Sequence, residues 1–331
     1  MGKAEPVPEA EVARSALQAR FKEAQLWLES GLVHANVLVE RLLVGLLAGG
    51  HLLVEGAPGL AKTRAVKLLA QALNAPFARI QCTPDLMPAD LTGTSVWRAD
   101  RNLFEFAAGP IFHSLVLVDE INRAPPKVQS ALLEAMAEHQ VTAAGVTHAL
   151  PLPFMVVGTQ NPIEHEGTFP LPEAQLDRFM LHVEVKLPDA ATERLILDLV
   201  EREASSAPRA VFTALTPQEV AAAQAAAMAV HLSPAIRDYI VRLVTAPRQP
   251  AAGPLAARVE HPASPRGSLA LASASKAKAW LQGRDYVVPA DVAELAGDIL
   301  AHRTILTWRA QAEGDRPRKL IADCLHQVQP L

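Results

Sequence analysis

One stretch of eight residues carries the clearest chemical signal in the sequence: Gly56, Ala57, Pro58, Gly59, Leu60, Ala61, Lys62 and Thr63. It follows a short apolar run and precedes a helical pattern, as a phosphate-binding loop does. Backbone N–H groups at the start of that helix can surround phosphate oxygens, while Lys62 neutralises them and Thr63 binds Mg²⁺. Ala61 stands where a second glycine is usual, and we expect it to admit a phosphate provided that its φ angle is negative.

Polar residues follow two further apolar runs. Residues 115–118 end at Asp119 and Glu120, where one carboxylate can hold Mg²⁺ through water and the other can polarise an attacking water. Residues 154–158 end at a polar triplet whose last member is Asn161. Buried strands with polar residues at their carboxyl ends predict a parallel sheet with its site at that edge.

The elements that must position these residues form an α/β unit followed by helices. Strands are predicted at 51–56, 115–118 and 154–158, and helices at 11–30, 37–47, 62–73 and 126–138. After Pro188 only helices are predicted, at 190–203, 216–230, 233–245, 268–282 and 289–301. A long loop is predicted at 246–267, which holds five prolines. Two insertions are predicted, a surface segment at 92–107 and a hairpin at 138–153.

Composition limits the function classes. The chain has 331 residues, enough for about two domains. Its net charge of −4 gives no overall basic field for nucleic acid. Cys82 and Cys324 lie far apart, which indicates neither a zinc site nor a disulfide framework. We expect no membrane span and a cytoplasmic protein, because the apolar runs are too short or proline-broken and the N-terminal residues have no apolar signal core.

Six ordered segments together resemble the MoxR family of AAA+ ATPases: GAPGLAKT, CTPDLMPADLTGT, GPIF, VDEINRAPPKVQSALLEAM, GTQNPIEHEGTFPLPEAQLDRF and ASPR. The resemblance extends from about residue 31 to 305. It implies an α/β P-loop NTPase fold with a parallel sheet and a C-terminal all-α lid. The implied division is an N-terminal helix at 1–30, a nucleotide-binding domain at 31–188 and a helical lid domain at 189–331.

The resemblance also assigns roles at the site. It makes Lys62 and Thr63 the Walker A residues, Asp119 the Mg²⁺-associated Walker B acid and Glu120 the catalytic glutamate. Asn161 matches sensor 1, where a neutral amide can orient water or contact the γ-phosphate. ATP and Mg²⁺ are the implied substrate and cofactor.

Three arginines resemble residues that act between domains or subunits. Arg178 matches the arginine finger that reaches a neighbouring subunit's nucleotide, and Arg266 matches sensor 2 on the lid. Arg123 is either an interface residue or a helix-capping salt-bridge partner, and the sequence leaves both open. Before Arg266, His261 and Pro262 depart from the family pattern, where glycine is usual, so the response of the lid is also open.

The resemblance implies a chaperone-like remodeller of client protein complexes. It implies assembly into a ring, with a hexamer as the implied size, and a partner with a von Willebrand factor A domain. The segments at 92–107 and 138–153 resemble the helix-2 insert and the pre-sensor-1 hairpin, which face a pore or partner. Two alternatives remain: a nucleic-acid motor or magnesium-chelatase-like subunit, which DNA or RNA would stimulate, and a nucleotide-gated scaffold, which would not need Glu120.

Overall fold

A computed structural model describes residues 9–143, 145–162, 167–204, 211–248 and 250–330. The α-helices in these ranges are α1 (Glu9–Ser30), α2 (Asn36–Leu47), α3 (Lys62–Ala72), α4 (Pro88–Thr92), α5 (Pro126–Glu138), α6 (Glu173–Leu176), α7 (Ala190–Ala204), α8 (Pro217–Met228), α9 (Pro234–Thr245), α10 (Pro265–Leu281), α11 (Pro289–Leu300), α12 (Trp308–Ala312) and α13 (Pro317–Gln327). The strands are β1 (Leu52–Gly56), β2 (Phe77–Gln81), β3 (Gly93–Arg98), β4 (Leu103–Ala108), β5 (Leu115–Asp119), β6 (Gln140–Ala143), β7 (Val146–Ala149), β8 (Met155–Gln160), β9 (Leu181–Val185), β10 (Val259–His261) and β11 (Ile305–Leu306).

A five-stranded parallel sheet with the order β2-β5-β8-β1-β9 forms the centre of the α/β part. Its register aligns Gln81 with Asp119, Val118 with Gly158, and Val54 with Thr159. The carboxyl ends of β1, β5 and β8 therefore meet at one edge of the sheet. This confirms the predicted parallel α/β fold.

The three predicted strands are the three central strands of this sheet, and the sequence pattern missed the two outer ones. β5 is buried at every position, whereas β2 and β9 alternate buried residues with more exposed ones. Central strands are covered on both faces and read as continuous apolar runs, while outer strands give a weaker signal. The strength of the apolar signal thus follows position in the sheet.

Successive side chains of each central strand enter two different hydrophobic clusters. Leu52, Leu117 and Val157 pack on the side of α1, α2, α3 and the C-terminal helices, whereas Leu53 and Val116 pack on the side of α5. This alternation follows from the two-residue period of a strand. Helix α1 joins the first cluster, where Phe21 makes an edge-to-face contact with Trp280 of α10 at 5.3 Å.

The C-terminal part is helical but not purely so. β10 and β11 form a short antiparallel pair, which corrects the prediction of helices only after Pro188. The predicted loop at 246–267 contains two 3₁₀ segments, Ala246–Arg248 and Pro250–Arg258, and strand β10. Helix α10 begins at Pro265 rather than Ser268, because Ser264 caps it through a hydrogen bond from the Arg266 N–H at 3.2 Å. Arg266 is consequently a first-turn helical residue.

Both predicted insertions are antiparallel hairpins. β3 pairs with β4, and β6 pairs with β7. The Phe106 ring of β4 stacks on the His148 ring of β7 at 4.1 Å, so the two hairpins contact each other. Trp97 and Phe104 lie exposed on the first hairpin. Among the described residues, no helix combines the length and apolar character needed to cross a membrane.

Candidate functional site

The loop between β1 and α3 has the conformation of an anion-binding turn. Gly59 has φ +83°, and a Cβ there would meet open space. Ala61 has φ +54°, so the negative φ that we set as the condition for admitting a phosphate is not met: the alanine adopts the left-handed conformation that glycine normally supplies. Ala61 has no side chain that could cap α3, and the first turn of α3 contains no acidic residue. The N–H groups at the start of α3 and the dipole of this helix are thus available to an anion.

Lys62 is the first residue of α3 and its side chain folds back over the loop. Its Nζ donates to the carbonyl oxygens of Gly56 and Ala57, the latter at 3.2 Å. The ammonium group is therefore held beside the turn where the phosphates of a nucleotide would lie. Its placement fits the prediction that it neutralises phosphate charge.

Asp119 lies at the end of β5, where three neighbouring side chains contact its carboxylate. The Thr159 hydroxyl donates to Oδ1 at 3.1 Å and the Arg79 Nε donates to Oδ2 at 2.6 Å. The Thr63 hydroxyl lies 3.5 Å from Oδ2. The structure therefore brings together Thr63 and Asp119, the two predicted Mg²⁺ ligands.

Glu120 continues the same strand end in a left-handed backbone conformation with φ +56°. Its N–H donates to the Thr159 hydroxyl at 3.0 Å. Its carboxylate Oε2 accepts from Gln81 Nε2 at 3.0 Å and from Arg123 Nη1 at 3.1 Å. Arg123 thus forms a salt bridge with Glu120 within its own chain.

Asn161 is buried and directly follows β8, the strand between β5 and β1. It therefore lies at the sheet edge between the strand that carries Asp119 and the strand that enters the phosphate loop. Lys62, Thr63, Asp119, Glu120 and Asn161 all belong to this one edge. The chain segments that carry them are separated in sequence and converge through the strand order.

Three residues at this edge were not singled out from the sequence: Arg79, Gln81 and Thr159. Arg79 and Gln81 are the alternate, exposed positions of β2, which becomes a neighbour of β5 only through the sheet order. Thr159 is the first residue of the polar triplet that ends in Asn161, and that triplet was the available signal. Its hydroxyl contacts both acidic residues.

Cys82 follows β2 near the same carboxylates but is not a nucleophile candidate. Burial, reinforced by Asp119 and Glu120, raises the pKa of its thiol to about 12. The thiol consequently stays protonated at neutral pH, and reactive cysteines need the thiolate. Glu55 of β1 pairs with His182 of the neighbouring strand β9: the two side chains lie 2.8 Å apart, and this contact lowers the pKa of Glu55.

A groove of about 860 Å³ adjoins the phosphate loop. Its walls come from the segment 31–38, the loop at 58–61, the segment 183–189 and one side of α7. Small-molecule sites occupy roughly 300–1,000 Å³. The groove is large enough for the nucleoside part of a nucleotide whose phosphates lie on the loop.

Arg178 lies at the opposite edge of the sheet from these residues. It precedes β9, where Leu181 pairs with Leu52 at the start of β1, while Val185 pairs with Gly56 at its end. Four residues of strand separate these levels by about 13 Å. Arg178 therefore does not lie with the phosphate loop of its own chain.

Arg266 lies with Arg178 and not with Lys62. Its Nη1 is 3.5 Å from Oδ2 of Asp177, the residue before Arg178, and its side chain is 56% exposed. Arg266 is not among the residues that line the groove over the phosphate loop. The structure thus divides the predicted site residues into two groups at opposite edges of one sheet.

The oxygen ligands beside the phosphate loop suit Mg²⁺ better than a transition metal. The described residues contain no group of three or more His, Cys, Asp or Glu side chains that could hold a metal ion. Mg²⁺ is commonly held by one or two protein oxygens together with phosphates and water. Thr63 and Asp119 provide such oxygens.

Comparison with known proteins agrees with this geometry. Residues 51–181 match the model of the ATPase family associated with various cellular activities (AAA), and residues 255–324 match the AAA lid domain. The chain is 44% identical over 302 residues to Chaperone MoxR1 of Mycobacterium tuberculosis, which covers 90% of this chain and 78% of that protein. It is 33% identical over 306 residues to Protein MoxR of Paracoccus denitrificans, covering 87% of this chain and 89% of that protein.

A solved structure shows the same fold. The crystal structure of a candidate ATPase from Cytophaga hutchinsonii superposes with a TM-score of 0.89 at 40% identity, and the match covers 98% of both chains. Similarity to named MoxR proteins over most of their length, together with the matched AAA and lid models, shows that the chain belongs to the MoxR family of AAA+ ATPases.

Proposed function

We propose that this chain binds ATP with Mg²⁺, hydrolyses it at sites shared between neighbouring copies in a ring, and uses the cycle to remodel client protein complexes. The observation that carries the proposal is the convergence of a phosphate loop, two acidic residues and an amide at one sheet edge. Each belongs to a different segment of the chain, and together they form the parts that phosphoryl transfer to water requires.

Nucleotide binding rests on the loop and the groove. The N–H groups at the start of α3 and the Lys62 ammonium bind the phosphates, while the groove receives the nucleoside. Lys62 exchanges its present contacts with the loop carbonyls for phosphate oxygens. These interactions are electrostatic and do not depend on Glu120.

Mg²⁺ binding is assigned to the Thr63 hydroxyl and the Asp119 carboxylate, 3.5 Å apart. The ion neutralises the charge that accumulates on the phosphates when they are transferred. Thr159 and Arg79 hold the Asp119 carboxylate in place. Metal ligands are commonly oriented by such hydrogen-bonding neighbours.

Hydrolysis is assigned to Glu120 and Asn161. Glu120 accepts the proton of the attacking water, and Asn161 orients that water or the γ-phosphate through its amide. The Glu120 carboxylate is engaged by Gln81 and Arg123, so it must leave these partners to reach water.

The positions of Arg178 and Arg266 support a site shared between two copies. Both residues lie at the sheet edge away from their own phosphate loop, and we propose that their guanidinium groups reach the nucleotide of a neighbouring copy. A ring provides this arrangement at every subunit, since head-to-tail contacts that close by rotation repeat the same interface. A hexamer is the ring size that we propose.

Client remodelling is supported by one relative and by one surface of the chain. It rests on the relative named as a chaperone and on the exposed aromatic side chains of the β3–β4 hairpin. A von Willebrand factor A domain protein and a client complex are the proposed partners. The acidic net charge disfavours a nucleic-acid motor, and the presence of Glu120 and Asn161 at the site disfavours a scaffold without turnover.

The experiment compares Glu120→Gln with Lys62→Ala. Glu120→Gln keeps the shape of the side chain but removes the base, so it should bind ATP and lose turnover by at least about 100-fold. Lys62→Ala should lose ATP binding. Tagged Glu120→Gln should capture a partner or client from native lysate with ATP, and Lys62→Ala should not.

The results separate the alternatives. Turnover in Glu120→Gln equal to that of the unsubstituted protein would contradict the hydrolytic assignment. Full biological activity of Glu120→Gln combined with loss in Lys62→Ala would favour the scaffold. Recovery of DNA or RNA with stimulated turnover would favour the motor.

A further inference from the structure

A buried arginine of the helical lid donates hydrogen bonds to the backbone on either side of Arg178. Arg303 ends the 3₁₀ turn Ala301–Arg303, and its side chain is only 3% exposed. Its Nε donates to Asp177 Oδ1 at 2.8 Å and its Nη2 donates to the Asp177 carbonyl at 3.0 Å. Further bonds reach the carbonyls of Phe179 at 2.7 Å and Met180 at 3.2 Å.

These acceptors lie immediately before and after Arg178. The Arg178 N–H donates to the Gln175 carbonyl at 3.1 Å, so its backbone is fixed on both sides. Among the described residues, none makes a hydrogen bond or ion pair with the Arg178 side chain. The backbone is therefore held firmly while the guanidinium remains available to another molecule.

Asp177 supplies the opposing charge. Its carboxylate pairs with Arg303, lies 3.5 Å from Arg266, and accepts from the Ser264 hydroxyl at 3.3 Å. Burial lowers the pKa of Arg303, and the Asp177 carboxylate counteracts that lowering. One acidic side chain thus connects two arginines of the lid to the segment that contains Arg178.

A lysine could not make the same set of bonds. A guanidinium presents five N–H donors in a fixed plane, whereas an ammonium is a single point with three donors. Arg303 uses its three nitrogens on acceptors from Asp177, Phe179, Met180 and its own chain turn at Ile299. The geometry requires arginine and not only positive charge.

We propose that Arg303 is a positioning residue for the reaction: it holds Arg178 in the pose that reaches the nucleotide of the neighbouring copy, with Asp177 as its counter-charge. The inference rests on the proposed function of Arg178 in trans. Because Arg303 belongs to the lid and Arg178 to the α/β domain, the lid of one copy then controls the geometry of its neighbour's active site. Arg303 itself touches no nucleotide.

This role predicts a pattern that a general folding defect would not produce. A copy with a mispositioned Arg178 still has an intact phosphate loop, so it fails only as the donor to its neighbour. Mixed with Lys62→Ala copies, which donate a correct Arg178, it should regain turnover. Mixed with Arg178→Ala copies, which lack the same function, it should not.

The test uses full-length Arg303→Lys. Alone, it should bind ATP like the unsubstituted protein and hydrolyse it on the order of 10-fold to 100-fold more slowly, because misplacement by about 1 Å has such an effect. An equal mixture with Lys62→Ala should rise to about a quarter of full turnover, the fraction of interfaces that combine an intact loop with an intact donor. Arg309→Lys, whose side chain on α12 is 79% exposed, is the matched control and should be unaffected.

A second variant covers the case in which Arg303→Lys does not fold. Asp177→Asn keeps an acceptor oxygen for Arg303 but removes the counter-charge, and it should show the same mixing pattern. Full turnover by Arg303→Lys alone, or equal restoration by Lys62→Ala and Arg178→Ala partners, would overturn the inference.

The mixing pattern also distinguishes this inference from the proposed function. If Arg178→Ala and Lys62→Ala copies fail to restore each other, the shared site is wrong and the inference fails with it. If those two restore each other but Arg303→Lys gains nothing from Lys62→Ala, only the positioning role is wrong.

Discussion

At the scale of single residues, the site depends on side chains that hold the reacting groups as well as on the reacting groups themselves. Thr159 is the clearest case, because its hydroxyl donates to the Asp119 carboxylate and accepts from the Glu120 N–H. One hydroxyl therefore fixes the proposed Mg²⁺ ligand and the backbone of the proposed base. Without this hydroxyl, the Asp119 carboxylate and the Glu120 backbone would each lose a hydrogen bond that holds them in place.

Thr159→Val tests this arrangement with almost no change in shape. The substitution removes both hydrogen bonds, and loss of such an orienting partner typically reduces metal affinity or activity by about 10-fold to 100-fold. We expect turnover to fall by that factor, with part of the loss recovered at high Mg²⁺ concentration. Steady-state ATPase measurements across a Mg²⁺ series provide the readout.

Thr245→Val is the matched control, since the Thr245 hydroxyl donates to the Val241 carbonyl within α9 and to no other group in the described part of the chain. Its turnover should stay unchanged. Equal turnover in Thr159→Val and the unsubstituted protein at every Mg²⁺ concentration would show that the hydroxyl does not position these groups.

The residues found from sequence are those whose neighbours in the chain complete a recognisable pattern. Lys62 and Thr63 follow glycines, and Asp119 and Glu120 end an apolar run. Arg79, Gln81 and Thr159 act across strands, so their partners lie about 40 residues away and become visible only with the register. The φ angle of Ala61 could not be predicted from the sequence pattern either, because the φ angle depends on how the loop packs in the fold.

Among the elements, β1 is preceded by a histidine at the amino-terminal edge of the sheet. His51 precedes β1 and is buried; its Nδ1 accepts from the Val156 N–H at 3.0 Å, and its Nε2 donates to the Met136 carbonyl at 3.1 Å. This pairing requires the neutral ring. Burial lowers the pKa of His51 to about 4, with a smaller lowering from His139 that the Met136 bond opposes.

The lowered pKa predicts loss of stability in acid. Between pH 6.5 and 4 the unfolded chain binds a proton at His51 that the folded chain does not, so the free energy of unfolding decreases as pH falls through that window. The decrease approaches about 3 kcal/mol from this group. Urea denaturation at pH 7, 6, 5 and 4, at fixed protein concentration, measures it.

His51→Gln is the comparison, because glutamine offers a donor and an acceptor but does not titrate. Its free energy of unfolding should fall less steeply than that of the unsubstituted protein over the same window. Parallel pH profiles for the two proteins would contradict the assignment of this loss to His51.

Helices and strands could be predicted from the sequence where a strand is a continuous apolar run or where a capping residue precedes a helix. Thr216 and Ser233 each precede a proline in the sequence, and each caps the helix that follows. The pattern missed β10 and β11, which are only three and two residues long, and it placed the start of α10 three residues late because proline-rich sequence obscured the Ser264 cap. Short pairings and caps inside proline-rich segments depend on tertiary contacts more than on periodicity.

At the scale of the whole molecule, the two groups of predicted site residues do not meet within one chain. The loop, the acids and Asn161 occupy one edge of the sheet, while Arg178, Asp177 and Arg266 occupy the other. The sequence resemblance implied that Arg178 acts on a neighbour. Because Arg266 lies beside Asp177, we extend this proposal to Arg266.

Each proposed active site is built from two copies, and mixing two inactive variants tests this arrangement. Arg178→Ala retains the loop and Lys62→Ala retains the arginine, so each should be nearly inactive alone, with a loss of about 10³-fold or more for the arginine. An equal mixture, after subunit exchange has been demonstrated, should recover about a quarter of full ATP turnover. Turnover in the mixture no greater than the average of the two separate variants would contradict an active site shared between copies.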